Sequence, residues 1–193
     1  MLNGFKFDLR VYVVITSFNP LRIYIYNEGL ARFATEKYDS GKSSVFQHLT
    51  NYSINKFNQN FKVDTEEGGS KQTFKQVKET MKELGIDVEG IWMQINDLVI
   101  KTIISIDSIT NSCMDMYVPN SENCFDLIGF DILIDENLKP WLLEVNMSPS
   151  LACESQLDIQ VKVPLISDLF NLICIPNKAP RKKPNKSSRH TFS

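Results

Sequence analysis

Residues 126–151, DLIGFDILIDENLKPWLLEVNMSPSL, decide the fold of this chain. Positions 127–134 are almost all apolar, the polar run 135–137 favours a turn, and a second apolar run covers 141–145 after a proline. Apolar runs of this length on either side of a short polar turn are typical of a β-hairpin. The stretch therefore predicts two neighbouring antiparallel strands.

Three polar side chains interrupt this apolar hairpin, namely Asp131, Glu144 and Asn146. Successive side chains of a strand point to opposite faces, so Glu144 and Asn146 share a face, and a suitable register would place Asp131 beside them. Carboxylates crowded into an apolar sheet repel one another and resist desolvation unless a cation compensates them. Oxygen donors without His or Cys suit Mg²⁺ better than Zn²⁺. A second interpretation stays open, in which both acids are merely solvated on a wet sheet face.

The remaining pattern predicts an α+β fold, with a largely antiparallel sheet flanked by helices. Apolar, β-branched segments separated by turns at Asn19-Pro20 and Glu28-Gly29 predict an antiparallel meander. Its three strands cover 7–17, 22–26 and 30–35. Apolar residues at three- to four-residue spacing predict helices over 71–84, 91–116 and 159–173. In the second helix this spacing indicates a core face from Ile91 to Ile106.

Two arginines, Arg10 and Arg32, each interrupt a strongly apolar strand. An arginine in such a strand usually lies at a sheet edge or extends its charged end to solvent. The alternative is a clamp for phosphate or carboxylate, because the guanidinium group binds both through two hydrogen bonds. The polar region 39–70 contains His48 within HLTNYS, and a loop of this length is either functional or disordered.

Composition and charge limit the class of protein. The chain has 193 residues, 42% hydrophobic and 23% charged, which suits one soluble globular domain without a membrane span. Its net charge of −2 combines a basic end, which has six Lys and Arg residues from Lys178 onward, with an acidic remainder of 15 basic and 23 acidic residues. An acidic body does not suit a nucleic-acid-binding protein. The four cysteines lack zinc-ligand spacing, and we expect them to be reduced and buried.

Three motifs together resemble the tubulin tyrosine ligase-like family, whose members have an ATP-grasp fold and ligate amino acids onto proteins. The motifs are KFDLR at 6–10, HLTNYS at 48–53 and GFDILIDENLKPWLLEVNMSPSL at 129–151. They occur in the order that the family has. The chain is most similar to the glutamate-adding branch, through NMSPSL at 146–151 followed by Leu157-Asp158.

The resemblance implies a nucleotide and metal site. Lys6 and Asp8 match positions at which the family contacts ATP. Asp131, Glu144 and Asn146 match its Mg²⁺-binding positions, which favours the metal interpretation of the hairpin. ATP and Mg²⁺ are therefore the expected cofactors.

The resemblance also implies catalytic roles for a second group of residues. Arg10 and Arg32 match the arginines that face phosphate and substrate in the family. His48, Thr50 and Asn51 fall where the family lines the reacting γ-phosphate. The implied reaction forms an acyl phosphate on a glutamate side chain of tubulin, which the amine of free glutamate then attacks. The implied partners are tubulin C-terminal tails on microtubules, in the cytoplasm and at the cytoskeleton, including the cilium or basal body.

The chain departs from the family pattern at its start, because the family's catalytic domain begins well before KFDLR. We therefore expect residues 1–176 to form a partial ATP-grasp domain, inactive by itself, and 177–193 to form a disordered basic tail. Two alternatives stay open at this point. One is a non-catalytic remnant that binds tubulin or nucleotide, and the other is a ligase that adds glycine or tyrosine.

Overall fold

The computed structural model describes residues 1–39, 41, 46, 50, 70–118 and 124–174. Five antiparallel strands form one sheet in the order β3-β2-β1-β4-β5. The strands are β1 (Phe7–Phe18), β2 (Leu21–Phe33), β3 (Lys71–Thr73), β4 (Asp126–Ile134) and β5 (Pro140–Asn146). The helices are α1 (Phe74–Glu83), α2 (Val88–Tyr117) and α3 (Gln156–Leu172). The α+β prediction and the 126–151 hairpin are confirmed.

The predicted three-stranded meander is wrong, because its second and third strands form one continuous strand, β2. Gly29 pairs with Val11 but the next pair joins Ile25 to Val13, so β2 bulges where we predicted a turn. A Cβ atom at Gly29 would lie 2.5 Å from the Arg10 carbonyl oxygen, so only glycine permits this approach of the two strands. Glu28 accepts hydrogen bonds from the backbone N–H groups of Gly29 and Phe74. Gly29 thus permits the bulge, and Glu28 stabilises both the bulge and the start of α1 through these hydrogen bonds.

The predicted helix over 71–84 begins three residues later than expected. Residues 71–73 pair with β2 as the short strand β3. Thr73 then caps α1, since its hydroxyl accepts from the Gln76 N–H while the Gln76 side chain accepts from the Thr73 N–H. Such a capping box marks a helix start, and Gly85 with φ of 73° follows the helix end.

One face of the sheet packs against α1 and α2 and contains the main core. Leu9, Val11 and Val13 of β1 alternate with polar neighbours and are at most 2% exposed. In α2 the buried positions follow the predicted spacing and comprise Val88, Ile91, Ile95, Val99 and Ile103. Ile106 is 49% exposed, contrary to prediction. The 30 residues of α2 measure about 45 Å, longer than nine-residue β4 at about 30 Å, so the helix extends past the core.

The opposite face of the sheet is covered in part by α3. Tyr12 and Leu30 pack there against Leu157, Val161 and Leu165 of that helix. The uncovered part carries the polar side chains of β1, β2 and β4. The face therefore combines a small apolar cluster with an open polar surface.

None of the three described helices has an apolar stretch of bilayer-spanning length. The four cysteines are free, but three are exposed and Cys124 is half-buried, so the expectation of burial is wrong. The basic tail 177–193 lies outside the described residues.

Candidate functional site

The polar face places two ion pairs at the middle of the sheet. Arg10 of β1 lies directly opposite Asp131 of β4, and Asp8 of β1 lies opposite Arg32 of β2. Because β1 and β2 are both interior strands, neither arginine is at a sheet edge. The interpretation of the arginines as edge residues is therefore excluded, and their largely buried side chains exclude the solvent-directed one.

The four side chains form one connected network. Arg10 donates to both oxygens of Asp131, with Nε–Oδ1 and Nη2–Oδ2 distances of 2.5 and 2.9 Å. Arg32 joins the two pairs, since its Nη2 lies 2.7 Å from Asp131 Oδ2 and its Nε donates to Asp8 Oδ1 at 2.6 Å. The carboxylate side chains are only 5% exposed and the arginine side chains 14–15%. Both arginines are thus held with their guanidinium planes fixed.

Burial and charge act in opposite directions on this network. Burial alone would raise the pKa of Asp131, but the hydrogen bonds and charges of Arg10 and Arg32 outweigh it and hold that pKa below its usual value. Burial likewise disfavours charged Arg32, yet Asp8 and Asp131 raise its pKa. Both groups therefore stay ionised at physiological pH.

Two further predicted residues, Thr50 and Lys6, lie in the described part of the chain. The hydroxyl of Thr50, which is 7% exposed, donates to Asp8 Oδ2. Lys6 precedes β1 and lines a separate pocket of about 300 Å³ together with Phe7, Tyr38 and Leu133. His48 and Asn51 lie outside the described residues, so their placement stays a prediction.

The hairpin register brings the proposed metal ligands onto neighbouring positions. Asp131 pairs directly with Glu144, and Gly129 pairs with Asn146. Asn146 Nδ2 donates to Glu144 Oε1 at 3.2 Å. Within the described part of the chain, no group of three His, Cys, Asp or Glu residues could hold a metal ion. Two carboxylates and an amide oxygen nevertheless form a donor set that suits Mg²⁺. The metal role of these residues stays a prediction.

A pocket of about 280 Å³ opens between this network and α3. Its lining includes the two arginines, Arg10 and Arg32, and two lysines, Lys71 and Lys162. Sequence reasoning missed these lysines, together with Tyr12 and Asp158. The available signal was the spacing of Asp158 and Lys162, which places them one turn apart on α3.

Asp158 organises the helix side of the pocket. The ammonium groups of Lys71 and Lys162 each lie 3.0 Å from an Asp158 oxygen. Asp158 also accepts from the Ser155 hydroxyl at the start of α3. Burial would raise the pKa of Asp158, but both lysines outweigh it and lower that pKa. Lys162 also donates to the Ala152 carbonyl oxygen at 2.5 Å. Because Lys71 belongs to β3, this charged cluster connects the segment before α3 to that strand.

Gly129 permits the Arg10 side chain to lie across the sheet because glycine has no Cβ atom. An added Cβ atom would lie 2.9 Å from Pro149 Cβ and 3.2 Å from Arg10 Cδ. Because the proline ring is rigid, Gly129→Ala should displace Arg10 and lower the free energy of unfolding by about 1–3 kcal/mol. Denaturant unfolding measures this change.

Gly41→Ala is the matched control, because its nearest neighbour would be Asp39 Oδ1 at an ordinary 3.4 Å. If both variants unfold at the same denaturant concentration, Gly129 does not set the position of Arg10.

Comparisons with known proteins agree with one another. The family model described as the tubulin-tyrosine ligase family matches residues 1–183. The chain is 43% identical over 195 residues to tubulin polyglutamylase TTLL5 of Mus musculus, covering 97% of this chain and 15% of that protein. It is 46% identical over 185 residues to tubulin monoglutamylase TTLL4 of Homo sapiens, covering 92% and 15%. It is 47% identical over 190 residues to tubulin polyglutamylase TTLL6 of Mus musculus, covering 94% and 23%. The chain thus spans less than a quarter of the length of these relatives.

Proposed function

Since this chain belongs to the tubulin-tyrosine ligase family, we propose that it supplies catalytic residues of an ATP-dependent ligase that joins free glutamate to a glutamate side chain of tubulin. The observation that carries this proposal is the network of Arg10, Arg32, Asp8 and Asp131. It lies on a sheet face next to Glu144 and Asn146 and opens into the pocket of about 280 Å³.

The network suits phosphoryl transfer because that reaction depends on positioning and charge compensation more than on a protein nucleophile. The acceptor carboxylate and the γ-phosphate are both anions, so they repel as they approach. Arg10 and Arg32 are fixed, always charged and able to bind two oxygens each. Asp8 and Asp131 hold the guanidinium groups in place before the substrates arrive. Thr50, which donates to Asp8, supports this arrangement from the neighbouring segment.

The nucleotide and the metal have separate candidate residues. Lys6 and the pocket that it lines near the start of β1 would receive ATP. Asp131, Glu144 and Asn146 would hold Mg²⁺, whose contribution when bound is to withdraw charge from the phosphate oxygens. Asp131 already accepts three charge-assisted contacts from the two arginines. It therefore couples the proposed metal position to the residues that bind the acceptor.

The proposed reaction has two steps. The γ-phosphoryl group passes from ATP to a side-chain carboxylate of tubulin, which gives ADP and an acyl phosphate. The amine of free glutamate then attacks the acyl carbon, phosphate leaves, and an isopeptide bond forms. In both steps the arginines stabilise negative charge on phosphate oxygens, and His48, Thr50 and Asn51 line the γ-phosphate.

The choice of glutamate over glycine or tyrosine rests on the relatives, which are named as tubulin polyglutamylases and a monoglutamylase. Mass spectrometry of tubulin tails tests it, using the longest natural polypeptide that contains these residues. Each amino acid is offered separately with ATP and Mg²⁺. We expect a mass increase of one or more glutamate residues that requires ATP. Transfer of glycine or tyrosine only, or no transfer at all, would contradict the proposal.

The proposed partner gives a prediction for the basic tail. Tubulin tails are strongly acidic, and the chain before Lys178 carries 15 basic against 23 acidic residues, so the two should repel at long range. The tail reverses this charge through Lys178, Arg181, Lys182, Lys183, Lys186 and Arg189. Deleting 178–193 should weaken microtubule binding several-fold at low salt and little near 0.15 M, where the Debye length is about 8 Å.

Co-sedimentation with microtubules across a salt series measures this effect, with a variant that has the six basic residues replaced by glutamine as the matched control for length. Identical binding curves with and without the tail at every salt concentration would show that the tail does not contribute to microtubule binding.

We also propose that the protein acts at the cytoskeleton in the cytoplasm, including the cilium or basal body.

A further inference from the structure

Pro149 is a buried residue in an otherwise exposed segment, and the proposed reaction gives it no role. The segment covers residues 147–155 and connects β5 to α3, directly after Asn146. Apart from Pro149, its residues 147–154 are all exposed, and Ser155 is half-buried. A buried proline between exposed neighbours marks the point at which the segment rests on the remainder of the fold.

That point is Gly129 of β4, whose missing side chain leaves a depression in the polar face of the sheet. A Cβ atom added to Gly129 would lie 2.9 Å from Pro149 Cβ, 3.2 Å from Arg10 Cδ and 3.5 Å from Arg10 Nε. The proline ring and the Arg10 side chain therefore fill the same depression as neighbours. Ser150 and Ala152 line the 280 Å³ pocket together with Arg10, so the segment continues beside the arginine.

The segment is held on both sides of Pro149. Before the proline, the segment leaves β5 directly after Asn146, which is the last residue of that strand. After it, the Lys162 ammonium group donates to the Ala152 carbonyl oxygen at 2.5 Å. Proline itself has a fixed φ, and its ring has almost no rotamer freedom to lose. Pro149 therefore presents a rigid wall to whatever lies beside it on the sheet.

The Arg10 side chain benefits from such a wall. Its guanidinium end is held by the two hydrogen bonds to Asp131, at 2.5 and 2.9 Å. Its methylene stem lies over Gly129, which has no side chain with which to hold it. An arginine stem is flexible, and fixing it costs conformational entropy. Pro149 supplies the apolar contact that the glycine lacks, and the Arg10 side chain is accordingly only 14% exposed.

We propose that Pro149 is a positioning residue that acts through Arg10: its ring confines the arginine stem and so keeps the guanidinium group on Asp131 before the substrates bind. This inference rests on the proposed function, because it concerns how one of the charges used in that reaction is held in place. Charge compensation is most effective when the charged group is fixed before the reaction begins.

Pro149→Ala tests the inference, in the same natural polypeptide that is used for the transfer assay. Because a misplacement of about 1 Å can cost about 100-fold in rate, kcat should fall about tenfold or more. The KM for ATP should change by less than about twofold, since Lys6 and its pocket are untouched. Pro149→Val keeps apolar bulk at this position, so its kcat should stay within about threefold of wild type.

Pro140→Ala is the matched control, because Pro140 is also a buried proline but lies at the start of β5, opposite Ile134. Its kcat should change by less than about twofold. An equal fall of kcat in Pro140→Ala and Pro149→Ala would show a general effect of losing a buried proline, and would overturn the inference.

A double-mutant cycle shows whether Pro149 acts through Arg10. Arg10→Lys keeps the charge but removes the planar group that binds both oxygens of Asp131. In that background, Pro149→Ala should lower kcat by less than about a further twofold, because the geometry that it protects is already lost. Losses of kcat that multiply in the double variant would overturn the inference.

A crystal structure of Pro149→Ala gives a measurement that does not depend on activity. The distance from Arg10 Nε to Asp131 Oδ1 should exceed about 3.5 Å in the variant, beyond hydrogen-bonding range. An Arg10 side chain that keeps both hydrogen bonds, or an unchanged kcat, overturns the inference and leaves the proposed function standing. A wild-type protein that transfers no glutamate overturns the proposed function, whereas the structure of the variant still decides whether Pro149 positions Arg10.

Discussion

Replacing Glu144 with glutamine is expected to reduce glutamate transfer at least about 100-fold without unfolding the protein. Substitutions in the shell behind a metal ligand already cost about 10–100-fold, and removing the charge of a direct ligand should cost no less. Glu144 is exposed, and its one described contact is the hydrogen bond that it accepts from Asn146. Glutamine retains an acceptor oxygen at that position. The free energy of unfolding should therefore change by less than about 0.5 kcal/mol.

Two measurements check this prediction. Transfer is followed by tubulin mass spectrometry, and binding of Mg²⁺ with ATP is followed by calorimetry, which should show weaker binding in the variant. Glu83→Gln is the control, because Glu83 is an exposed glutamate at the end of α1 on the other side of the sheet. Full transfer by Glu144→Gln would show that Glu144 does not hold the metal.

Replacing Arg32 with glutamine should have the largest effect on stability, about 3–5 kcal/mol, and should also stop transfer. Arg32 joins two buried carboxylates at 2.6 and 2.7 Å. Without it, Asp131 keeps Arg10, but Asp8 keeps no ion pair among the described residues. A buried carboxylate that has lost its cation keeps the cost of desolvation without the compensating charge.

The pH-dependent part of this loss comes from Asp131, whose pKa is lowered by Arg32 together with Arg10. A carboxylate whose pKa is lower in the folded state contributes stability above its unfolded pKa, about 3.9, and loses that contribution as the pH falls through the folded value. The difference between wild type and Arg32→Gln should therefore be full at neutral pH and smaller in strong acid.

Urea unfolding across a pH series measures both quantities. Arg22→Gln is the matched control, because Arg22 is an exposed arginine near the start of the same strand. Arg32→Lys keeps the charge but lacks the planar group that reaches both acids. Its stability should therefore lie between that of wild type and that of Arg32→Gln. A loss for Arg32→Gln no larger than for Arg22→Gln would mean that the network contributes little to stability.

The sequence by itself determined the hairpin, the fold class and the family. Alternation within 126–151 correctly placed Glu144 and Asn146 on one face, and the observed register added Asp131. These features are local, because strand periodicity and turn residues act over a few positions. The three motifs identified the family for the same reason, since each is a short run of residues that the sequence displays directly.

Only the tertiary structure decided which charges meet. Lys71 and Asp158 are 87 positions apart, and Arg10 and Asp131 are 121 apart, so no spacing rule could join them. The tertiary structure also decided that Glu28 and Gly29 continue a strand instead of forming a turn. The bulge at these residues depends on the Arg10 carbonyl and on Phe74, which belong to other elements. Periodicity records which face of an element is apolar, whereas the partner of a buried charge depends on which faces the fold brings together.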